Sequence, residues 1–147
     1  MHWQFSIDKN RNIYFASDDA GGLGMQDIYC SIYKDGKYEN PVNLGSPINT
    51  PGTDHTPFIS PDGDYLIYSS GHKLHICFCN NDGSWGEPKN PGHPINTGME
   101  LCPIVTPDKK YLILLSQRDG ESHPYWVSAK IIEELRPKED KTNNYQK

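Results

Sequence analysis

The sequence predicts an all-β chain, a partial β-propeller of about three four-stranded antiparallel blades, on three observations. A unit of 46 to 47 residues recurs along the chain, Asp-Gly pairs punctuate it, and the central strand of each unit is apolar on both faces. Blade-like units fall at about 1–53, 54–99 and 100–137, and 138–147 reads as a disordered tail.

The repeat is the firmest of the three. Asp35-Gly36-Lys37-Tyr38 through Pro47-Ile48-Asn49-Thr50 returns as Asp82-Gly83-Ser84-Trp85 through Pro94-Ile95-Asn96-Thr97, 47 residues later. Pro41/Pro88, Asn43/Asn90, Gly45/Gly92 and the closing Pro-Ile-Asn-Thr are identical. At a spacing of 46, Asp54-His55-Thr56-Pro57-Phe58-Ile59-Ser60-Pro61-Asp62 matches Glu100-Leu101-Cys102-Pro103-Ile104-Val105-Thr106-Pro107-Asp108. Tyr65-Leu66-Ile67-Tyr68 then matches Tyr111-Leu112-Ile113-Leu114, and Asn12-Ile13-Tyr14-Phe15 is an earlier copy.

Asp35-Gly36, Asp62-Gly63 and Asp82-Gly83 supply the positive-φ residues of tight turns between apolar runs. Each unit therefore reads as a short strand, a turn, an apolar strand, a loop, an aromatic strand, an Asp-Gly turn and a last strand. A sheet with one wet face would alternate apolar and polar residues, whereas Tyr65–Tyr68 and Tyr111–Leu115 run continuously apolar. Sheets stacked face to face account for that. At the end of the chain, Tyr125-Trp126-Val127 takes the place of Asp27-Ile28-Tyr29. Ile131, Ile132 and Leu135 have helical spacing, with Ser128 as a cap for a short helix.

Composition narrows the function classes. The chain has 147 residues, a net charge of -5 and no clustered basic run, so nucleic acid is not an expected partner. No stretch approaches the apolar length of a membrane-spanning helix, and His-Trp-Gln-Phe after Met1 does not resemble a signal peptide. Cys30, Cys77, Cys79 and Cys102 form no C-x-x-C pair and read as buried free thiols.

Ser60-Pro61-Asp62-Gly63-Asp64-Tyr65-Leu66-Ile67-Tyr68 resembles the signature of TolB-like, WD40-like β-propeller repeats. Gly21-Gly22-Leu23-Gly24-Met25-Gln26-Asp27-Ile28-Tyr29 is similar to the glycine-rich Asp-Ile-Tyr segment of the same repeats, and Asn-Leu-Gly-x-Pro-Ile-Asn-Thr closes such units. The likeness spans residues 3–136 and resembles the C-terminal half of bacterial six-bladed members, whose other half would precede Met1. It implies a repeat module of the periplasm, the outer membrane or the secreted space. The chain departs from the pattern at Leu74-His75-Ile76 and at His123-Pro124-Tyr125, and Lys109 replaces a turn glycine.

The Gly21–Gly24 loop lacks the helix N-terminus and the Lys-Ser/Thr pair of a phosphate site. Asp18, Asp19 and Asp27 could approach a cation, but capping of backbone explains them more simply. Ser6-x-Asp8-x-Asn10 and Ser60-x-Asp62 read as turn-forming side chains. His75, Cys77 and Cys79 share a strand face and read as packing, so no metal and no cofactor is expected.

Asp54, His55, His72, His93, Glu100 and Arg118 gather in loops that would border the end faces of a propeller, and are the candidate ligand-binding residues; no catalytic residue is assigned. Asp54 and Glu100 are equivalent in adjacent units, which favours a shared structural task. The first functional reading is a non-catalytic scaffold for a protein or glycan ligand. The second is part of a carbohydrate-active propeller, a glycosidase or polysaccharide lyase, in which those side chains would converge on one pocket. Three blades leave two apolar faces bare, so further blades or a second copy are expected to close the ring.

Overall fold

The computed structural model describes residues 3–19, 21–118 and 120–138, with Trp3 described by its backbone alone. The proposed tail lies, beyond Lys138, outside the described residues. The first sheet contains β1 (Trp3–Ile7), β2 (Ile13–Ser17), β3 (Asp27–Ser31) and β6 (Val42–Asn43), hydrogen-bonded in that order and all antiparallel. The second contains β7 (Asp54–Ile59), β8 (Tyr65–Ser70) and β9 (Lys73–Phe78), and the third β10 (Met99–Val105), β11 (Tyr111–Gln117) and β12 (Ser122–Ser128). A helix, α1 (Lys130–Leu135), follows. The chain is an all-β partial propeller.

Three details differ from the sequence reading. Asp35 and Gly36, both at positive φ, turn a separate small hairpin of β4 (Tyr33–Lys34) and β5 (Lys37–Tyr38) instead of joining the third and fourth strands directly. The fourth strand of the second sheet shrinks to one bridge, Ile76 to Lys89, where the first sheet pairs Cys30 with Val42. The third sheet has three strands among the described residues.

The middle sheet explains the apolar runs. All of Tyr65 to Ser69 in β8 is buried, and successive side chains point to opposite faces. Leu66 and Tyr68 join Tyr14, Ile28, Cys30 and Ile48 in a core against the first sheet. Tyr65 and Ile67 join Leu112, Leu114 and Ile132 in a second core against the third. Both sides of the sheet are dry. The continuous apolar pattern of Tyr111–Leu115 has another outcome: Leu112 and Leu114 are buried, while Tyr111 and Leu115 are exposed. Nothing packs on that outer face within the described residues.

Short turns close one end of the stack. Gly63 and Lys109 take positive φ at equivalent positions, and Ser60 Oγ accepts the Asp64 and Tyr65 N–H groups. Asp8 Oδ1 likewise accepts from the N–H groups of Asn10 and Asn12, the structural role expected for these turns. Asp62 sits between Lys9 at 2.9 Å and Lys109 at 3.4 Å, linking the three turns across the sheets. Helix α1 starts after Ala129, one residue beyond the expected Ser128, whose hydroxyl still accepts the Lys130 N–H at 3.4 Å. It is held by burial of Ile132, while Arg136 just after it pairs with Asp64 at 2.9 Å and lies over the Phe78 ring. No helix among the described residues is long and apolar enough to cross a membrane.

Candidate functional site

The opposite end of the stack collects the β2–β3 loop, the β8–β9 turn, the β11–β12 turn and the two Pro-Ile-Asn-Thr loops. All six candidate residues lie there. Backbone bonds join neighbouring units at this end: Asp54 N–H donates to the Gln26 carbonyl, and Glu100 N–H to the His72 carbonyl.

Asp54 and Glu100 are fully buried and perform the same task. Asp54 Oδ2 accepts from the Thr50 N–H at 2.6 Å and the Thr50 hydroxyl at 2.9 Å. Glu100 Oε1 accepts from the N–H groups of Thr97 and Gly98, at 3.0 and 2.7 Å, and from the Ser116 hydroxyl at 3.0 Å. Each carboxylate thus grips the threonine that ends the preceding Pro-Ile-Asn-Thr loop. The second loop is one residue closer to its carboxylate, and the extra methylene of Glu reaches back in place of that residue. This explains why the repeat spacing changes from 47 to 46 between the loop and the strand that follows it.

Arg118 serves the same loop. Its Nη2 donates to the carbonyls of Pro94 and Ile95, its Nε donates to Ser116 Oγ, and its guanidinium lies 4.0 Å above the Tyr125 ring. Glu100, Ser116 and Arg118 therefore form one network that clamps residues 94–98. His93 is exposed just before Pro94, and His72 is exposed in a two-residue turn with Gly71, both at positive φ. The structure brings Glu100, Ser116 and Arg118 together. It does not bring His93 into that network through any hydrogen bond.

His55 is half-buried, with Nε2 enclosed and unpartnered among the described atoms. Burial, helped by the nearby His72 and opposed by Asp54, pushes its pKa below the ordinary 6.5. The fold therefore favours neutral His55, and the unfolded chain binds the proton more readily. Stability contributed by this group is present above pH 6.5 and declines as pH falls through that value toward the lowered folded pKa. Urea unfolding between pH 7.5 and 5 should show that decline, and His55→Asn should flatten it. An unchanged slope in the variant would contradict the assignment.

The glycine-rich loop has a different logic from the one its sequence suggests. Of its three glycines, Gly21 alone has positive φ. Gly22 and Gly24 are required by close approach: a Cβ on Gly24 would lie 2.1 Å from the Gly52 carbonyl oxygen, and one on Gly22 2.3 Å from Asp27 Oδ2. Asp27 is buried, accepting from the N–H groups of Leu23 and Gly24 and from the Asn43 amide, so it holds the loop. Its counterpart is Lys73, because Ser17 pairs with Asp27 as Ser70 pairs with Lys73. The second unit's Asp-Ile-Tyr equivalent is therefore Lys73-Leu74-His75, one residue earlier than the sequence alignment. In the third unit it is His123-Pro124-Tyr125, not Tyr125-Trp126-Val127, since Leu115 pairs with Pro124. Lys73 Nζ donates to the Gly98 carbonyl and lies 3.8 Å from Glu100 Oε2.

The residues that sequence reading missed are the loop asparagines. Asn49 accepts the Ile28 N–H at 2.8 Å and donates to the Ile28 carbonyl at 2.9 Å and to Asn43 Oδ1 at 2.7 Å. Asn96 repeats all three bonds with Leu74 and Asn90, at 2.8, 2.9 and 2.7 Å. Their identity in both copies, together with Asn43 and Asn90, was the available signal.

The four cysteines are unpaired; Cys30 and Cys77 are buried, but Cys79 and Cys102 are only half-buried. Burial raises all four thiol pKa values, that of Cys77 to about 12, which disfavours thiolate. Cys77 Sγ donates to the Gly86 carbonyl and His75 Nδ1 lies 3.1 Å from the Lys73 carbonyl oxygen. Among the described residues no three His, Cys, Asp or Glu side chains are grouped to hold a metal ion. No protein-family model and no curated protein matches this chain.

Proposed function

We propose that the chain is a non-catalytic β-propeller repeat module, a scaffold for a protein or glycan ligand in the bacterial cell envelope. The envelope and the kinship to TolB-like repeats rest on the Ser-Pro-Asp-Gly and Gly-Gly-Leu-Gly resemblances described above. The observation that carries the scaffold reading is the state of the loop carboxylates. Asp27, Asp54 and Glu100 are buried and directed at loop N–H groups, and Arg118 at loop carbonyls. A glycosidase or lyase needs carboxylates that reach the sugar at a defined separation. Both oxygens of Asp27 and one oxygen each of Asp54 and Glu100 hold loops, and the exposed titratable side chains at this end, which include Asp18, Asp19, His72, His93, Glu121 and His123, come from four separate segments.

The two readings differ in what Glu100 substitutions do. Glu100→Ala strands the Thr97 and Gly98 N–H groups and the Ser116 hydroxyl, an expected loss of about 2–4 kcal/mol. Glu100→Gln keeps an acceptor oxygen and should lose about 1 kcal/mol. Urea unfolding measures both. The chain is also incubated with a panel of polysaccharides, and no new reducing ends or unsaturated ends are expected. Product release that Glu100→Gln abolishes would replace the scaffold with the carbohydrate-active enzyme.

A further inference from the structure

The two outer faces of the stack are complementary copies of faces that already pack together inside the chain. Between the first and second sheets, a face carrying Tyr14, Ile28 and Cys30 meets a face carrying Ile59, Leu66, Tyr68 and Cys77. Strand registers place Tyr14, Ile28 and Cys30 in the positions of Ile67, Leu74 and Ile76, which meet the third sheet. The same interface is thus built twice, each time from one face of each kind.

Among the described residues, one face of each kind packs on no other sheet. On the third sheet, Ile113, Pro124 and Trp126 occupy the positions of Ile67, Leu74 and Ile76. Trp126 is 67% exposed, and with Tyr111, Ile113 and Pro124 it lines an open depression of about 530 Å³. On the first sheet, Ile7 and Ile13 occupy the positions of Ile59 and Leu66, and Ile7 is 47% and Phe5 66% exposed. A linear stack of repeats that ends in water carries polar capping faces. Neither end here is polar.

We infer that two copies of this chain associate head to tail, the outer face of each third sheet packing on the outer face of the other's first sheet, to close a six-sheet ring. The contact is between unlike faces, so it must close or propagate, and two sets of three sheets give a ring within the usual 4 to 8. At the place where Ile28 and Leu74 donate to Asn49 and Asn96, the third sheet has Pro124, which has no N–H to donate.

Light scattering on the eluting whole chain tests this. The expected mass is twice the chain's 16.7 kDa. Phe5→Lys and Trp126→Asp, with folding checked by far-ultraviolet circular dichroism, should each give monomers, and mixing the two should restore the double mass. The mixed pair keeps one native interface and faces opposite charges in the other. A wild-type monomer or an open-ended series of sizes would overturn the ring. A dimer that survives Phe5→Lys, or variants that fail to combine, would overturn the head-to-tail arrangement. None of these outcomes bears on whether the module is catalytic.

Discussion

Replacing Asn49 by alanine is expected to destabilise the chain by roughly 2–4 kcal/mol, among the largest effects of any polar substitution in it. Asn49 is 3% exposed and Ile28 fully buried, so water cannot take over the bonds the amide makes. Alanine leaves the Ile28 N–H unmet at the edge of β3, at about 1–3 kcal/mol, and takes one of two donors from the Ile28 carbonyl, which keeps the Leu44 N–H. It also removes the loop's link to Asn43, whose oxygen in turn accepts the Gly45 N–H. Asn49→Asp is a sharper probe. It retains an acceptor for the Ile28 N–H but turns a carboxylate oxygen toward the Ile28 carbonyl and Asn43 Oδ1, so it should not rescue. Asn96→Ala breaks the same bonds to Leu74, but Asn96 is less buried, and a smaller loss of about 2 kcal/mol is expected. Urea unfolding of the three variants gives the order directly. Equal, small losses would mean that the Pro-Ile-Asn-Thr loops are decoration on the sheets.

The second large effect lies in β8. Leu66→Ala and Ile67→Ala, neighbours in sequence on opposite faces, are each expected to cost about 2–5 kcal/mol. Both side chains are fully buried, Leu66 in the core against the first sheet and Ile67 in the core against the third. A sheet with one solvated face gives a large loss at one of two adjacent positions and a small loss at the other. Comparable losses at both are the signature of a sheet covered on both sides.

Much of the fold can be read from the chain because its strongest constraints are local and repeated. The Asp-Gly turns and the Tyr-Leu-Ile runs fix hairpins whose partners are near in sequence, and duplication shows the same hairpin twice. The equivalence of Asp54 and Glu100 was readable for the same reason. What they grip was not, since a carboxylate in a loop looks alike whether it faces a ligand or the backbone of the preceding loop. The one-residue error at Leu74 arose because Lys73 replaces Asp27: the register is set by pairing with Ser70, not by the identity of the first residue. Arg118 reaches back 24 residues to Pro94, and Asn49 reaches back 21 to Ile28. Arg118 has no counterpart in the repeat, and the return of Asn49 as Asn96 marks the side chain without naming its partner, so both read as loop surface.

Methyl nuclear Overhauser spectroscopy of the whole chain, with a soluble paramagnetic probe added, examines the central sheet most directly. Leu66 methyls should show cross-peaks to the Ile28 and Ile48 methyls, Ile67 methyls to those of Leu112 and Leu114, and neither set should broaden with the probe. Broadening of either residue, or the loss of its cross-peaks to the flanking sheet, would mean that this sheet has a wet side and that the sheets do not succeed one another as described.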